Sequence, residues 1–160
     1  MSPRFLRALS LLSPMLLGGL VAPLHAQSDK QDVIRVATQF FDGMRTRDTT
    51  LMWSTVERGT VLVIAGDPAK ARSQPITMDD FIGRIGKGTG PGGDERMKDP
   101  EVKIDGSLAS LWAYYTYTKG GETQINHCGI DAFLMRKGAD GWKIFHLAGT
   151  IRTDGCAPIK

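Results

Sequence analysis

Only two cysteines, Cys128 and Cys156, and three histidines occur in the 160 residues. No C-x-x-C pair and no close His-Cys set is formed, so no metal site is expected. Basic residues are not clustered: the formal net charge is +3, and the patches of Lys and Arg that a nucleic-acid surface needs are missing. Repeats and blocks of like charge are absent too. A membrane-spanning helix needs roughly 20 apolar residues in a row. The longest apolar stretch, about Ala8 to Val21, is broken by Pro14, Gly18 and Gly19, and Pro23 follows.

That stretch has another layout. Arg4 and Arg7 precede it, and it ends at Leu24-His25-Ala26, a small-residue cleavage signal. Residues 1–26 therefore read as a secretory signal peptide cut between Ala26 and Gln27. Residues 27–160 are then one domain, exported to the periplasm or beyond the cell and not held in a membrane. The leader removes two arginines and no acid, taking the basic count from 20 to 18 against 17 acidic residues. In an oxidising compartment Cys128 and Cys156 are expected to pair as a disulfide.

GRIGKGTGPGGDER, Gly83 to Arg96, contains a G-x-G-x-x-G run. A dinucleotide fingerprint must follow a strand and open a helix. Here a helical pattern precedes the glycines and a strand pattern follows. The P-loop spacing fails as well, because Lys87 is followed by Gly88. The run reads as a flexible connector at 86–95, and no cofactor is expected.

Hydrophobic periodicity gives the architecture. Val33, Ala37, Phe40, Phe41 and Met44 form an apolar stripe over Lys30 to Arg47, a helix that Ser28 or Asp29 is placed to cap. Thr49 to Val56 is a second short helix. Thr60 to Gly66 is a β-branched strand, and Thr77 with Asp80 opens a third helix through a capping-box spacing. Four strand segments follow: EVKID, SLASLWAYYTYT, TQINHCGIDAFLMR and GWKIFHLAGTIRT. Their short links force antiparallel neighbours. Helices first and a meander after give an α+β domain, its N-terminal helices packed on one face of a strongly curved antiparallel sheet.

The order of elements and several local motifs carry a resemblance. They are Trp112-Ala113-Tyr114-Tyr115, His127-Cys128-Gly129 with Phe133, Gly141-Trp142-Lys143-Ile144, Thr150-Ile151-Arg152 and a final Cys156. From about Asp29 to Cys156 the chain resembles the nuclear transport factor 2-like superfamily, which includes ketosteroid isomerase-like and polyketide cyclase-like proteins. Relatives often carry two basic residues after the threonine, and Ile151 takes the first of those places here. The resemblance implies a cone-shaped domain with a pocket between sheet and helices, and favours Tyr115 as a pocket residue. It does not imply one reaction.

Alternation along the last two strands selects the candidate site. His127, Asp131 and Met135 share one face of their strand; Trp142, His146, Thr150 and Arg152 share one face of the next. If Met135 stands opposite Trp142, then Asp131 faces His146 and His127 faces Thr150. Asp131 and His146 are on that register a candidate acid–base pair. His127, Tyr115, Trp112, Thr150 and Arg152 are candidate ligand contacts. A shift of one residue turns the set over. The preceding strand is equally open: a tight Gly120-Gly121 turn brings Trp112 and Tyr114 beside the site, a longer one Tyr115 and Tyr117. Three functions stay open. They are binding of a small molecule, cofactor-independent isomerase, dehydratase or cyclase chemistry, and pairing of the sheet face in a homodimer.

Overall fold

The apolar stripe becomes helix α1 (Ala22–Thr46) in a computed structural model that describes residues 22–66 and 74–159. The expected leader lies outside the described residues as far as position 21, and so does the expected strand end at Asp67-Pro68. The helix begins well before Lys30 and runs through the expected cleavage point at Ala26 and Gln27. Asp29 is therefore not its cap. Its carboxylate accepts from Trp142 Nε1 at 3.2 Å and from Lys137 Nζ at 2.5 Å, tying the helix to the sheet.

Helix α2 (Thr49–Thr55) is capped by Asp48, which accepts from Leu51 N at 2.8 Å. Strand β1 (Val61–Ala65) and a two-residue β2 (Ile76–Thr77) lead into helix α3 (Met78–Lys87). As the capping-box spacing predicts, the Thr77 hydroxyl accepts from Asp80 N at 3.1 Å and donates to Asp80 Oδ2 at 2.8 Å. Strands β3 (Asp94–Asp105), β4 (Leu108–Thr118), β5 (Ile125–Gly138) and β6 (Gly141–Thr150) form the meander. The sheet order is β2-β1-β6-β5-β4-β3, antiparallel except where β1 runs parallel to β6. The helices lie on its concave face, the α+β cone that the order of elements predicts.

Packing explains the arrangement. Val33, Ala37, Phe40, Phe41 and Met44 of α1 are buried against Leu111, Phe133, Met135 and Ile144 of the sheet. The Phe41 and Phe133 rings meet edge-on at 5.7 Å. Each such side chain contributes about 1.5–3 kcal/mol by leaving water.

Two registers differ from the simple pairing. In the β5–β6 hairpin Met135 stands opposite Ile144, not Trp142, and Leu134 stands opposite His146. Phe145 is the extra residue of a β-bulge, which reverses the facing of everything beyond it. Trp142 and Ile144 point into the core before the bulge; Leu147 and Gly149 do so after it. Between β4 and β5 the longer turn holds, with Tyr115 opposite Gly129 and Tyr117 opposite His127. Trp112 lies opposite Ala132 on the convex face, 55% exposed.

The glycine run is shorter than the 86–95 connector, since α3 takes residues 86–87 and β3 takes 94–95. What remains is pinned. Arg47 donates to the carbonyls of Gly90 at 2.9 Å, Ile85 at 2.8 Å, Pro91 at 3.3 Å and Thr89 at 3.4 Å. A Cβ on Gly92 would come within 2.0 Å of the Met44 carbonyl. Glycine serves close backbone approach here, not a phosphate.

Cys128 and Cys156 form a disulfide with Cα atoms 5.6 Å apart, spanning 28 positions. It fixes the C-terminal tail to the convex side of β5, and Tyr114 strengthens the join by donating to Ala157 O at 2.9 Å. Closing a loop of that length is worth about 3 kcal/mol in the chain-entropy account. Replacing both cysteines with serine is expected to lower the melting temperature by roughly 10 °C for a domain of this size. Circular-dichroism melts of wild type and double mutant, with and without reductant, measure this. A reductant-insensitive wild type that melts with the mutant would contradict it.

Candidate functional site

Between the helices and the concave face lies a cavity of about 280 Å³. Its walls are mostly hydrocarbon: Phe40, Phe41 and Met44 from α1, Phe81 and Ile85 from α3, Leu62 and Ile64 from β1, and Leu147 from β6. Five polar side chains interrupt this lining: Glu95 on β3, Tyr115 and Tyr117 on β4, and His127 and Asp131 on β5.

Strand register sets these groups side by side. Glu95, Tyr117 and His127 form one cross-strand row, and Met97, Tyr115 and Gly129 form the next. The Tyr117 and His127 rings stack at 4.5 Å, and Tyr115 meets His127 edge-on at 5.8 Å. Glycine creates the room. A Cβ on Gly129 would stand 1.9 Å from the Thr150 carbonyl and 2.7 Å from the Tyr115 ring. One on Gly149, directly opposite Asp131, would press within 2.7 Å of its Oδ1. Tyr115 is held by donating its hydroxyl to Thr150 O at 2.9 Å.

The electrostatics centre on two acids. Asp131 is 5% exposed, and its Oδ2 meets no N–H or hydroxyl donor. The hydrogen-bonding neighbour is Glu95. A carboxyl can donate to another carboxyl only by holding a proton, so the pair shares at least one. Burial, above all, pushes Asp131 up to about 7, and its hydrogen bond with Glu95 partly offsets the rise. Glu95 is pushed well above the usual carboxylate range by burial first, then by the charge of Asp131 and the bond to it. Their titration belongs to the pair. Burial lowers His127, leaving it neutral at neutral pH. Burial and the charge of Glu95 raise both Tyr115 and Tyr117, keeping their phenols protonated. Among the described residues no lysine or arginine lines the cavity.

Of the residues selected from alternation, Asp131, His127 and Tyr115 line the cavity. His146 does not: the bulge turns it to the convex side opposite Leu134, so Asp131 has Gly149 as its β6 partner and the expected Asp131–His146 pair is not formed. His127 does not face Thr150; the Thr150 hydroxyl accepts from Ile130 N at 3.0 Å. Arg152 lies over the Tyr114 ring at 5.6 Å, on the convex side with Trp112. Glu95 escapes sequence reading because its strand seems to begin at Glu101. Pro100 hides the earlier half, which is accommodated by a bulge with Asp99 at φ 48° on an edge strand. The one usable signal is the Glu95–Met97 alternation.

No family model matches the chain, and no curated protein matches it either. Solved structures do. An NTF2-like protein with a cystatin-like fold from Novosphingobium aromaticivorans superposes with a TM-score of 0.68 at 13% identity, over 88% of this chain and 92% of that one. An NTF2-like protein from Cytophaga hutchinsonii gives 0.62 at 11% identity, over 77% and 98%. The association domain of CaMKII from C. elegans gives 0.61 at 17% identity, over 77% and 95%. At these identities the likeness concerns the fold: this chain has the nuclear transport factor 2-like fold.

The carboxyl pair sets a pH dependence. Asp131 titrates at about 7 folded against 3.8 when free. Between those values the folded chain holds that extra proton, and Glu95, also raised, holds another, so stability falls as pH rises through the window and goes on falling until Glu95 too has ionised. One proton is worth about 1.4 kcal/mol per pH unit at most. Denaturant unfolding from pH 5 to pH 8 is expected to show this loss, and Asp131→Asn to lessen it, leaving the part due to the burial of Glu95, while melting higher than wild type at pH 8. Stability that rises across the range would contradict the assignment.

Proposed function

We propose that the chain binds a small, largely apolar molecule in the cone cavity, with Asp131 and Glu95 as its polar anchor. The observation that carries this reading is Asp131, a nearly buried carboxyl that lines a mostly apolar cavity and whose Oδ2 has no hydrogen-bond donor among the described residues. An unsatisfied buried acceptor costs roughly 1–3 kcal/mol. A ligand group that satisfies it recovers that cost, while the apolar walls supply the bulk of the affinity. Tyr117 and His127 contribute ring faces and Tyr115 positions the floor. The reading includes an extracytoplasmic ligand, for which the disulfide, compatible with an oxidising compartment, is the support.

A second reading rests on the same pair. A carboxylate at about 7 beside a protonated carboxyl is suited to moving a proton at neutral pH. Asp131 would remove a proton from a carbon next to a carbonyl, Glu95 would donate a hydrogen bond to the carbonyl oxygen, and Asp131 would return the proton to another carbon. That is cofactor-independent isomerisation, with Glu95 instead of His146 as the group beside Asp131, here in the role of hydrogen-bond donor. Homodimer formation is favoured by Leu108, Trp112 and Leu134, large apolar side chains exposed on the convex face.

Nuclear magnetic resonance titration with neutral aromatic fragments of about ten non-hydrogen atoms tests the binding reading, the size being set by the cavity. Shifts are expected to cluster on Tyr117, His127, Asp131 and Leu147, and to vanish in Ile64→Trp, which fills the cavity. Shifts scattered over the convex face, or persisting in that variant, would overturn the assignment. For the enzymatic reading, a bound ketone in deuterated water is expected to take up deuterium, with a loss of about a hundredfold or more in Asp131→Asn.

A further inference from the structure

The cavity is unusual in the sign of its charge. Among the described residues its ionisable lining consists of two carboxyls, two phenols and one imidazole, with no basic side chain. Asp131 on β5 faces Glu95 on β3, with Tyr115 and Tyr117 of β4 and His127 of β5 around them, while the helices and β1 contribute hydrocarbon. Arg152 and Arg47 influence the two tyrosines only from outside the cavity lining. An anionic ligand would bring a third acid beside Asp131 and Glu95, with no counter-charge in the lining among the described residues.

We infer that the cavity takes an organic monocation, an apolar body bearing one protonated amine, whose ammonium group stands beside the free Asp131 oxygen in place of a proton. The inference deepens the proposed binding function and rests on it. Three observations lead there. First, Asp131 lines the cavity and its Oδ2 is buried with no donor among the described residues, and an ammonium at this carboxyl supplies up to three. Second, the charges balance. The ammonium neutralises the Asp131 carboxylate, and Glu95 keeps its proton and donates to Asp131 as it already does. One proton leaves as one cation enters. Third, the neighbouring rings suit a cation: Tyr117 and His127 stack at 4.5 Å, Phe40 and Phe81 at 6.2 Å, and ring faces attract cations where water is excluded. A bare metal ion fits poorly, since hard cations take six or more oxygens and two carboxyls provide too few. The volume of about 280 Å³ equals about nine water-sized volumes, enough for a body of about ten non-hydrogen atoms.

Isothermal titration calorimetry with three isosteric probes tests this: 2-phenylethylamine, 2-phenylethanol and phenylacetate. The amine is expected to bind most tightly and phenylacetate not at all. Ionised Asp131 becomes about tenfold more abundant between pH 6 and pH 8, given its titration at about 7. The amine is therefore expected to bind about tenfold more tightly at pH 8, and at pH 6, where Asp131 still holds its proton, to release that proton on binding as a buffer-dependent heat. The alcohol should lack this gain. Asp131→Asn should weaken the amine at least tenfold at pH 8 and leave the alcohol within about twofold, which also shows the variant is folded. Glu95→Gln keeps a donor to Asp131 and should retain amine binding. Alcohol binding as tight as amine binding, or amine affinity that falls with rising pH, would overturn the ammonium inference and leave the binding function standing. Failure of all three probes to bind would overturn both.

Discussion

Two carboxyl groups placed together in hydrocarbon cannot both be charged, because each ion would forfeit its hydration and face a like charge at short range. In water the same groups would ionise freely. Here the wall of Phe40, Phe41, Met44 and Leu147 denies them that option, and a proton is held between Asp131 and Glu95. The cavity matters as much as the pair.

Keeping that space open takes more than curvature. The sheet brings strands into contact that side chains would otherwise hold apart, and glycine stands at each closest approach. Gly129 lets the Thr150 carbonyl and the Tyr115 ring meet, and Gly149 leaves the Asp131 carboxyl its position. Gly93 allows the Tyr117 ring to reach the end of the glycine run, whose carbonyls Arg47 gathers. The sequence feature that most resembles a nucleotide loop thus serves as a brace behind a cavity wall. On the other side of the sheet the disulfide anchors β5 through Cys128, between two residues that face inward, His127 and Gly129.

How far the sequence discloses this can be argued residue by residue. Alternation identifies Phe133, Met135, Trp142 and Ile144 as core because period-2 burial is a local property of a strand. The Thr77 cap is legible for the same reason: donor and acceptor lie three residues apart. The His146 assignment fails because a bulge is an event in pairing, invisible to either strand alone, and Phe145 carries no mark that it will be the extra residue. Asp29 fails as a cap because its partners, Trp142 and Lys137, lie more than a hundred residues away in the chain. Glu95 is hidden by Pro100, which reads as the end of a strand and is a kink within one. The common cause is that sequence patterns report what each element wants, whereas the site arises from how elements align.

The position of Glu95 answers a last physical question, how a proton enters or leaves so buried a pair. Asp131 is only 5% exposed and sits on a strand between β4 and β6. Glu95 is different. It belongs to the edge strand and is half-buried, and it borders both the cavity and a surface cleft between α1 and β3 lined by Asp42, Arg45 and Arg96. Arg45 reaches Asp42 at 2.5 Å and Asp94 at 3.4 Å, so the cleft is an aqueous, charged rim rather than a second hydrophobic wall. Glu95 is therefore the one member of the pair placed to trade a proton with water while Asp131 faces the ligand. The division follows from topology: an edge strand supplies the acid that communicates with solvent, and a central strand supplies the acid that does not.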